Sequence, residues 1–280
     1  SYLAIKAGDP EAQVVVGGQT YWWDAASGRP LFFRQLLDAL AKDPAAPAHA
    51  WYFDAVALHL YSTPADLYTV PTAYREAMAA YGLAKPIWIG ETNAVPWDVP
   101  GSPLPRADYR VTRDEQASYV VQAMAYALAA GVDRIEVYTM RDAFMQPEPY
   151  GLCSSYGCDR PASRAFLAAT TFFAGARAGA PVARDGTVAI PLRSEQYDIT
   201  VAWASGAASR QLTIPAIAPL ATIVDRIDTS WTVQPSRGGY TLVLPGATAN
   251  TAPGRPDYYP VGGAPVILLQ PREGPAGSPR

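Results

Sequence analysis

The segment PIWIGETNAVPW, residues Pro86 to Trp97, decides how the rest of the chain is read. Ile87, Trp88 and Ile89 form a short apolar run, and after Gly90 the chain turns to Glu91, Thr92 and Asn93. A run of this kind reads as a buried strand that delivers polar groups at its carboxyl end.

Working outward, the same pattern recurs three more times. Upstream lie AQVVVGG (Ala12 to Gly18) and WYFDAVALHLYS (Trp51 to Ser62); downstream lies DRIEVYTM (Asp133 to Met140). Helical stretches separate them. PLFFRQLLDALAK has Leu31, Phe32, Gln35, Leu36, Ala39 and Leu40 as its expected stripe. PTAYREAMAAYG places Pro71 in an expected first turn and Gly82 just past the end. Thr112 followed by Glu115 spells a capping box, opening a helix with Ala117, Val120, Val121, Met124 and Leu128 and stopped by Gly131. RPASRAFLAATTFFAGA closes the region, with Pro161 near its start. Strand alternating with helix four times over 1–178 predicts an α/β unit of parallel strands.

Beyond Gly179 the helical signal stops. VAIPLRSEQYDITVAWA, SRQLTIPA, ATIVDRID, SWTVQP, GYTLVLPG and APVILLQP are short, β-rich and punctuated by turn residues. This predicts an antiparallel β-sandwich over 179–272. REGPAGSPR ends the chain, and 273–280 reads as a flexible polar tail.

Composition narrows the partners. The 280 residues carry a formal net charge of -3 and 17% charged residues, so no basic surface suits nucleic acid. No apolar run reaches the roughly 18 residues of a membrane span. The chain starts at Ser1 inside a helical pattern, SYLAIKAGDPEAQ, which reads as a processing or truncation boundary. Cys153 and Cys158, in GLCSSYGCDRP, read either as a local disulfide or as two free thiols, with metal binding a distant third. A bridge would favour an oxidising compartment, hence a secreted or extracytoplasmic location.

Parallel α/β sheets present ligands at the carboxyl ends of their strands. The four ends here carry Gly17 and Gly18 followed by Trp22 and Trp23; His59 and Tyr61; Glu91, Thr92 and Asn93; and Tyr138 and Met140 followed by Arg141 and Asp142. Period 2 points His59 and Tyr61 the same way. One carboxylate beside an imidazole, a phenol and aromatic faces suits a sugar, whose C–H faces stack on Trp and Tyr. A glutamate held by a tyrosine hydroxyl stays ionised and fixed, as a glycosidase nucleophile requires. Each residue also has a plainer reading: Glu91 as a cap or ion-pair partner, His59 as a core histidine, Trp22 and Trp23 as rim cover, Asp142 and Glu148 as loop anchors. No phosphate loop, dinucleotide fingerprint or catalytic serine or zinc motif occurs, and no cofactor or metal is expected.

Taken in order, DPEAQVVVGG, FDAVALHLYS, KPIWIGETN and RIEVYTMRD resemble the second half of a clan A glycoside hydrolase barrel. The likeness is to the family 39 and family 5 type of retaining β-glycosidases and their cellulase-like relatives, and covers residues 1–178. It implies a partial (β/α) TIM-type barrel of about four βα units, with the following sandwich as accessory domain. It further implies Glu91 as nucleophile, Tyr61 and His59 as its supports, and Trp22, Trp23, Asn93, Trp97, Tyr138 and Asp142 as substrate contacts. Tyr138 stands where the family usually has Trp.

The family's acid/base glutamate follows an asparagine, and no Asn-Glu pair occurs in this sequence. Three expectations remain: a piece of a longer gene, a homodimer that completes the barrel, or an acid supplied by Asp142, Glu148 or Asp24. The implied partner is an oligo- or polysaccharide with β-linked, plant-type sugars.

Overall fold

The computed structural model describes residues 1–101, 103–107, 109–143, 147–250 and 254–272, so the expected tail at 273–280 lies outside the described residues. The chain opens with helix α1 (Tyr2–Gly8), strand β1 (Val15–Gln19) and helices α2 (Trp22–Ala26) and α3 (Phe32–Leu40). A 3-10 turn (Pro47–Tyr52) leads to β2 (Ala55–Leu60), α4 (Asp66–Ala79) and β3 (Ile87–Thr92). The short β4 (Val95–Pro96) and β5 (Arg110–Val111) pair with each other before α5 (Arg113–Ala129), β6 (Arg134–Val137) and α6 (Pro161–Phe173).

Strands β1, β2, β3 and β6 form a four-stranded sheet in that order, every pair parallel. Val56, Leu58, Leu60, Ile87 and Ile89 project from one face into a core shared with Phe33 and Leu37 of α3, Leu67, Tyr74 and Met78 of α4, and Tyr119, Ala123 and Ala127 of α5. The opposite face carries Ala57, Trp88 and Arg134 in register, with the Arg134 guanidinium over the Trp88 ring at 4.1 Å.

Three local expectations change. The fully buried residues of α3 are Phe33 and Leu37. Of the predicted stripe, Leu31, Leu36 and Leu40 pack against the core while Phe32, Gln35 and Ala39 are exposed, so tertiary packing rotates the buried face from the predicted one. Pro71 lies inside α4, because that helix already begins at Asp66, whose carboxylate holds the backbone and hydroxyl of Thr63. Strand β2 starts at Ala55, since Ala50, Trp51 and Tyr52 all have positive φ and cannot extend a strand.

Helix α5 ties the molecule together. Its capping box forms: Thr112 Oγ1 accepts from the Glu115 backbone while Glu115 Oε2 accepts from the Thr112 backbone. Gly131 ends it at φ +69°, a conformation that costs glycine little. The predicted stripe Ala117, Val120, Val121 and Met124 faces α6 and the C-terminal sheet, and a second face packs on the parallel sheet. A helix apolar all round is a buried helix.

The C-terminal strands are β7 (Arg177–Ala178), β8 (Val182–Arg184), β9 (Thr187–Arg193), β10 (Tyr197–Ala204), β11 (Arg210–Pro215), β12 (Ala221–Asp225), β13 (Ser230–Val233), β14 (Gly239–Leu244) and β15 (Val266–Pro271). Seven of them make one antiparallel sheet ordered β13-β12-β15-β10-β9-β7, with β8 also on β9. Strands β11 and β14 form a separate ribbon. One face of the large sheet meets α5 and α6, and the other packs against Tyr240, Leu242 and Leu244 of the ribbon. The sheet already starts at Arg177, two residues before the expected boundary, because β7 pairs with β9.

Candidate active site

Glu91 reaches the open face of the parallel sheet through a register irregularity. Leu58 pairs with Ile89, yet His59 pairs with Glu91, so β3 carries one extra residue, Gly90, opposite β2. The pairing of β3 with β6 shifts over the same interval. In a regular strand Ile89 and Glu91 would share a face, and the carboxylate would enter the helical core. The bulge turns it toward His59 instead, as bulges beside functional sites commonly do.

His59 on β2 and Tyr61 just past its end then approach one carboxylate oxygen. Tyr61 Oη donates to Glu91 Oε2 at 2.8 Å, and His59 Nδ1 lies 3.4 Å from the same oxygen. Among the described residues no hydrogen bond reaches Oε1. The Glu91 side chain is 35% exposed at the rim. Burial, reinforced by the hydrogen bond to Glu91, pushes the Tyr61 phenol far above its ordinary value. Tyr61 therefore remains a proton donor to the carboxylate.

Tyr138 and Tyr150 pack edge-to-face on Tyr61 and on each other, with ring centroids 5.3 to 6.3 Å apart. Tyr138, whose peptide to Thr139 is cis, follows β6, whereas Tyr150 comes from a loop. Sequence reasoning passed over Tyr150, since a tyrosine in a proline-rich loop has no periodicity to announce it. Burial and the nearby Glu148 charge push its phenol up to about 12.

Asn93 is not a surface contact. It is 2% exposed, and its amide donates to the carbonyls of Tyr138 at 2.8 Å and Tyr150 at 2.7 Å. Gln116 of α5, fully buried, donates to the same Tyr150 carbonyl at 3.1 Å. The pair thus anchors the backbone that carries two of the three rings. The correction has a simple cause: two backbone carbonyls converge where the chain leaves the sheet, and a buried carbonyl needs a donor.

Asp142 is likewise diverted. Its carboxylate pairs with Arg160, which is 3% exposed, and accepts the Gly151 backbone N–H at 2.6 Å. Both carboxylate oxygens are thus taken up by partners inside the loop. Asp24 accepts the Phe32 backbone N–H and pairs with Arg29, closing the loop ahead of α3. Glu148 pairs with Arg110 at 2.9 Å and is 40% exposed beside Tyr150.

Trp22 and Trp23 lie on α2, at the carboxyl end of β1; Trp23 is 77% exposed, and Trp22 packs edge-on against Tyr21. Trp97 is positioned by β4 and β5, with Arg106 stacked over its ring at 4.2 Å. Cys153 and Cys158 are joined as a disulfide in the loop below Tyr150. Among the described residues no three His, Cys, Asp or Glu side chains are grouped to hold a metal ion, and no helix is long and apolar enough to cross a membrane.

No protein-family model matches the sequence, nor does any curated protein. Solved structures do resemble the fold. A family 39 glycoside hydrolase from the gut symbiont Bacteroides cellulosilyticus WH2 superposes with a TM-score of 0.65 at 12% identity, over 96% of this chain and 53% of that one. A GH30 endoxylanase from Clostridium papyrosolvens C71 gives 0.58 at 11% identity, over 95% and 58%. A glucosidase from Croceicoccus marinus gives 0.52 at 15% identity, over 97% and 63%. The chain has the fold of part of these glycoside hydrolases and spans less than two thirds of the length of each.

Proposed function

We propose that the chain is a retaining β-glycosidase-like hydrolase, or the C-terminal half of one, acting on β-linked plant-type glycans. One observation carries this reading: Tyr61 fixes Glu91 Oε2 at a strand end, while among the described residues no hydrogen bond reaches Oε1. In that role Oε1 attacks the anomeric carbon, a glycosyl ester forms, and the leaving oxygen takes a proton from a second carboxyl group. The three tyrosine rings supply apolar walls for the sugar. The endoxylanase and glucosidase among the similar structures support a carbohydrate substrate.

The second carboxyl group should stand roughly 5 Å from the nucleophile. All three candidates in this chain are engaged in ion pairs, Asp142 with Arg160, Asp24 with Arg29 and Glu148 with Arg110, and Glu148 is the most exposed of them at 40%. This favours a second reading, a carbohydrate-binding or scaffold protein that has lost turnover. The comparisons give no support to the homodimer expectation, and light scattering tests it directly.

Hydrolysis of aryl β-glycosides by wild type and Glu91→Gln separates the two readings. The hydrolase reading expects loss of turnover in Glu91→Gln and partial azide rescue of Glu91→Ala, giving a glycosyl azide of inverted configuration. Equal rates for wild type and Glu91→Gln remove Glu91 from the reaction. Sugar binding without turnover by wild type supports the scaffold.

A further inference from the structure

We infer that the C-terminal β region holds a second glycan site, in the groove between the β12–β13 hairpin and strand β14. The groove has a volume of about 420 Å³, within the range of small-molecule sites. Ile223 and Leu242 line it as buried residues, whereas Trp231 is 46% and Val243 62% exposed. Trp231 pairs in register with Ile223, and Ile223 belongs to the core shared with the ribbon. The same face of the hairpin therefore carries the indole toward β14.

The polar groups identify the occupant. Asp225 accepts the backbone N–H of Ile227 and Thr229 through Oδ1, and among the described residues Oδ2 has no hydrogen bond. The neighbouring Arg226 uses Nη2 on Asp114, but its Nε is buried without an acceptor. These two groups have opposite sign, so the groove offers no net charge to a phosphate or an acidic polymer. An apolar peptide or acyl chain would cover the Asp225 carboxylate oxygen without supplying a donor, which is unfavourable. A neutral polyhydroxyl chain meets both demands: a hydroxyl donates to Asp225 Oδ2, and a C–H face covers the Trp231 indole. The site requires no turnover and is separate from the Glu91 rim.

The test is retardation of the whole chain in native gels containing soluble β-glucan or xylan, with fluorescence titration by cellohexaose and xylohexaose. Wild type and Glu91→Gln should be retarded alike, Trp231→Ala should bind about tenfold more weakly, and Trp231→Phe should retain most of the affinity. Trp231→Ala should leave cleavage of a small aryl glycoside unchanged. No retardation of wild type, or equal retardation of wild type and Trp231→Ala, overturns the site. If no aryl glycoside is cleaved while Trp231-dependent binding persists, the catalytic reading fails and this one stands.

Discussion

Tyr61 Oη meets Glu91 Oε2 at 2.8 Å across two neighbouring parallel strands, and it does so because β3 carries Gly90 as an extra residue. The hydrogen bond is charge-assisted and the donor half-buried, so it both orients the carboxylate and disperses its charge.

Replacing Tyr61 with Phe keeps the ring and removes only that donor. Loss of a hydrogen bond to a charged group is worth about 1.5–3 kcal/mol, so kcat/KM on an aryl β-glycoside should fall roughly 10- to 150-fold. Steady-state kinetics of Tyr61→Phe beside wild type reads this out, and an unchanged kcat/KM would show that the phenol does not support the nucleophile.

Asn93→Ala should be costly for a reason unrelated to sugar contact. It strands the Tyr138 carbonyl and leaves the Tyr150 carbonyl with Gln116 as its remaining donor, and a buried unsatisfied group costs about 1–3 kcal/mol. Urea unfolding should register the loss. Asn93→Asp, isosteric but with no N–H to give, should be no better; a stability equal to wild type would return Asn93 to the surface.

Arg160→Leu should destabilise by about 3–5 kcal/mol, since it leaves Asp142 charged in a site only 11% exposed. The double variant Arg160→Leu/Asp142→Asn should recover part of that loss. A double-mutant cycle by chemical denaturation measures the coupling, and additive single effects would contradict the ion pair.

The phenols define an alkaline limit. Tyr150 and Tyr126 are each pushed up to about 12, in both cases chiefly by burial. A folded-state pKa above the unfolded value of about 10 means that the folded chain binds the proton more tightly. The stability so gained is fully present below pH ~10 and is lost as pH rises toward 12. Denaturant midpoints should therefore hold to about pH 9.5 and decline above it, and phenolate absorbance should appear together with unfolding. Phenolate absorbance from both tyrosines near pH 10 in the folded chain would contradict this.

Much of the architecture was legible in the residues. The alternation of apolar runs with helical stretches announced four parallel strands, Thr112 and Glu115 marked the start of α5, and the β-rich spacing after Gly179 announced the antiparallel sheet. Glu91, Tyr61 and His59 could be singled out because strand ends are where parallel sheets present polar groups, and the fold brings the three side chains together. The finer assignments fared differently. Asn93 and Asp142 are the same residue types that sugar sites use, yet their partners, Tyr150 and Arg160, lie 57 and 18 residues away in sequence. Phe33 was missed because Phe32 and Phe33 fit neighbouring stripes equally well, and only the facing elements choose between them.

By itself the sequence determined the elements and their order, since periodicity, caps and turn residues act over a few positions. It also determined that a carboxylate would stand at the end of β3. Tertiary structure alone decided which way that carboxylate points. The face is set by a one-residue mismatch in register between β2 and β3, and register is a property of two strands brought together, carried by neither strand alone.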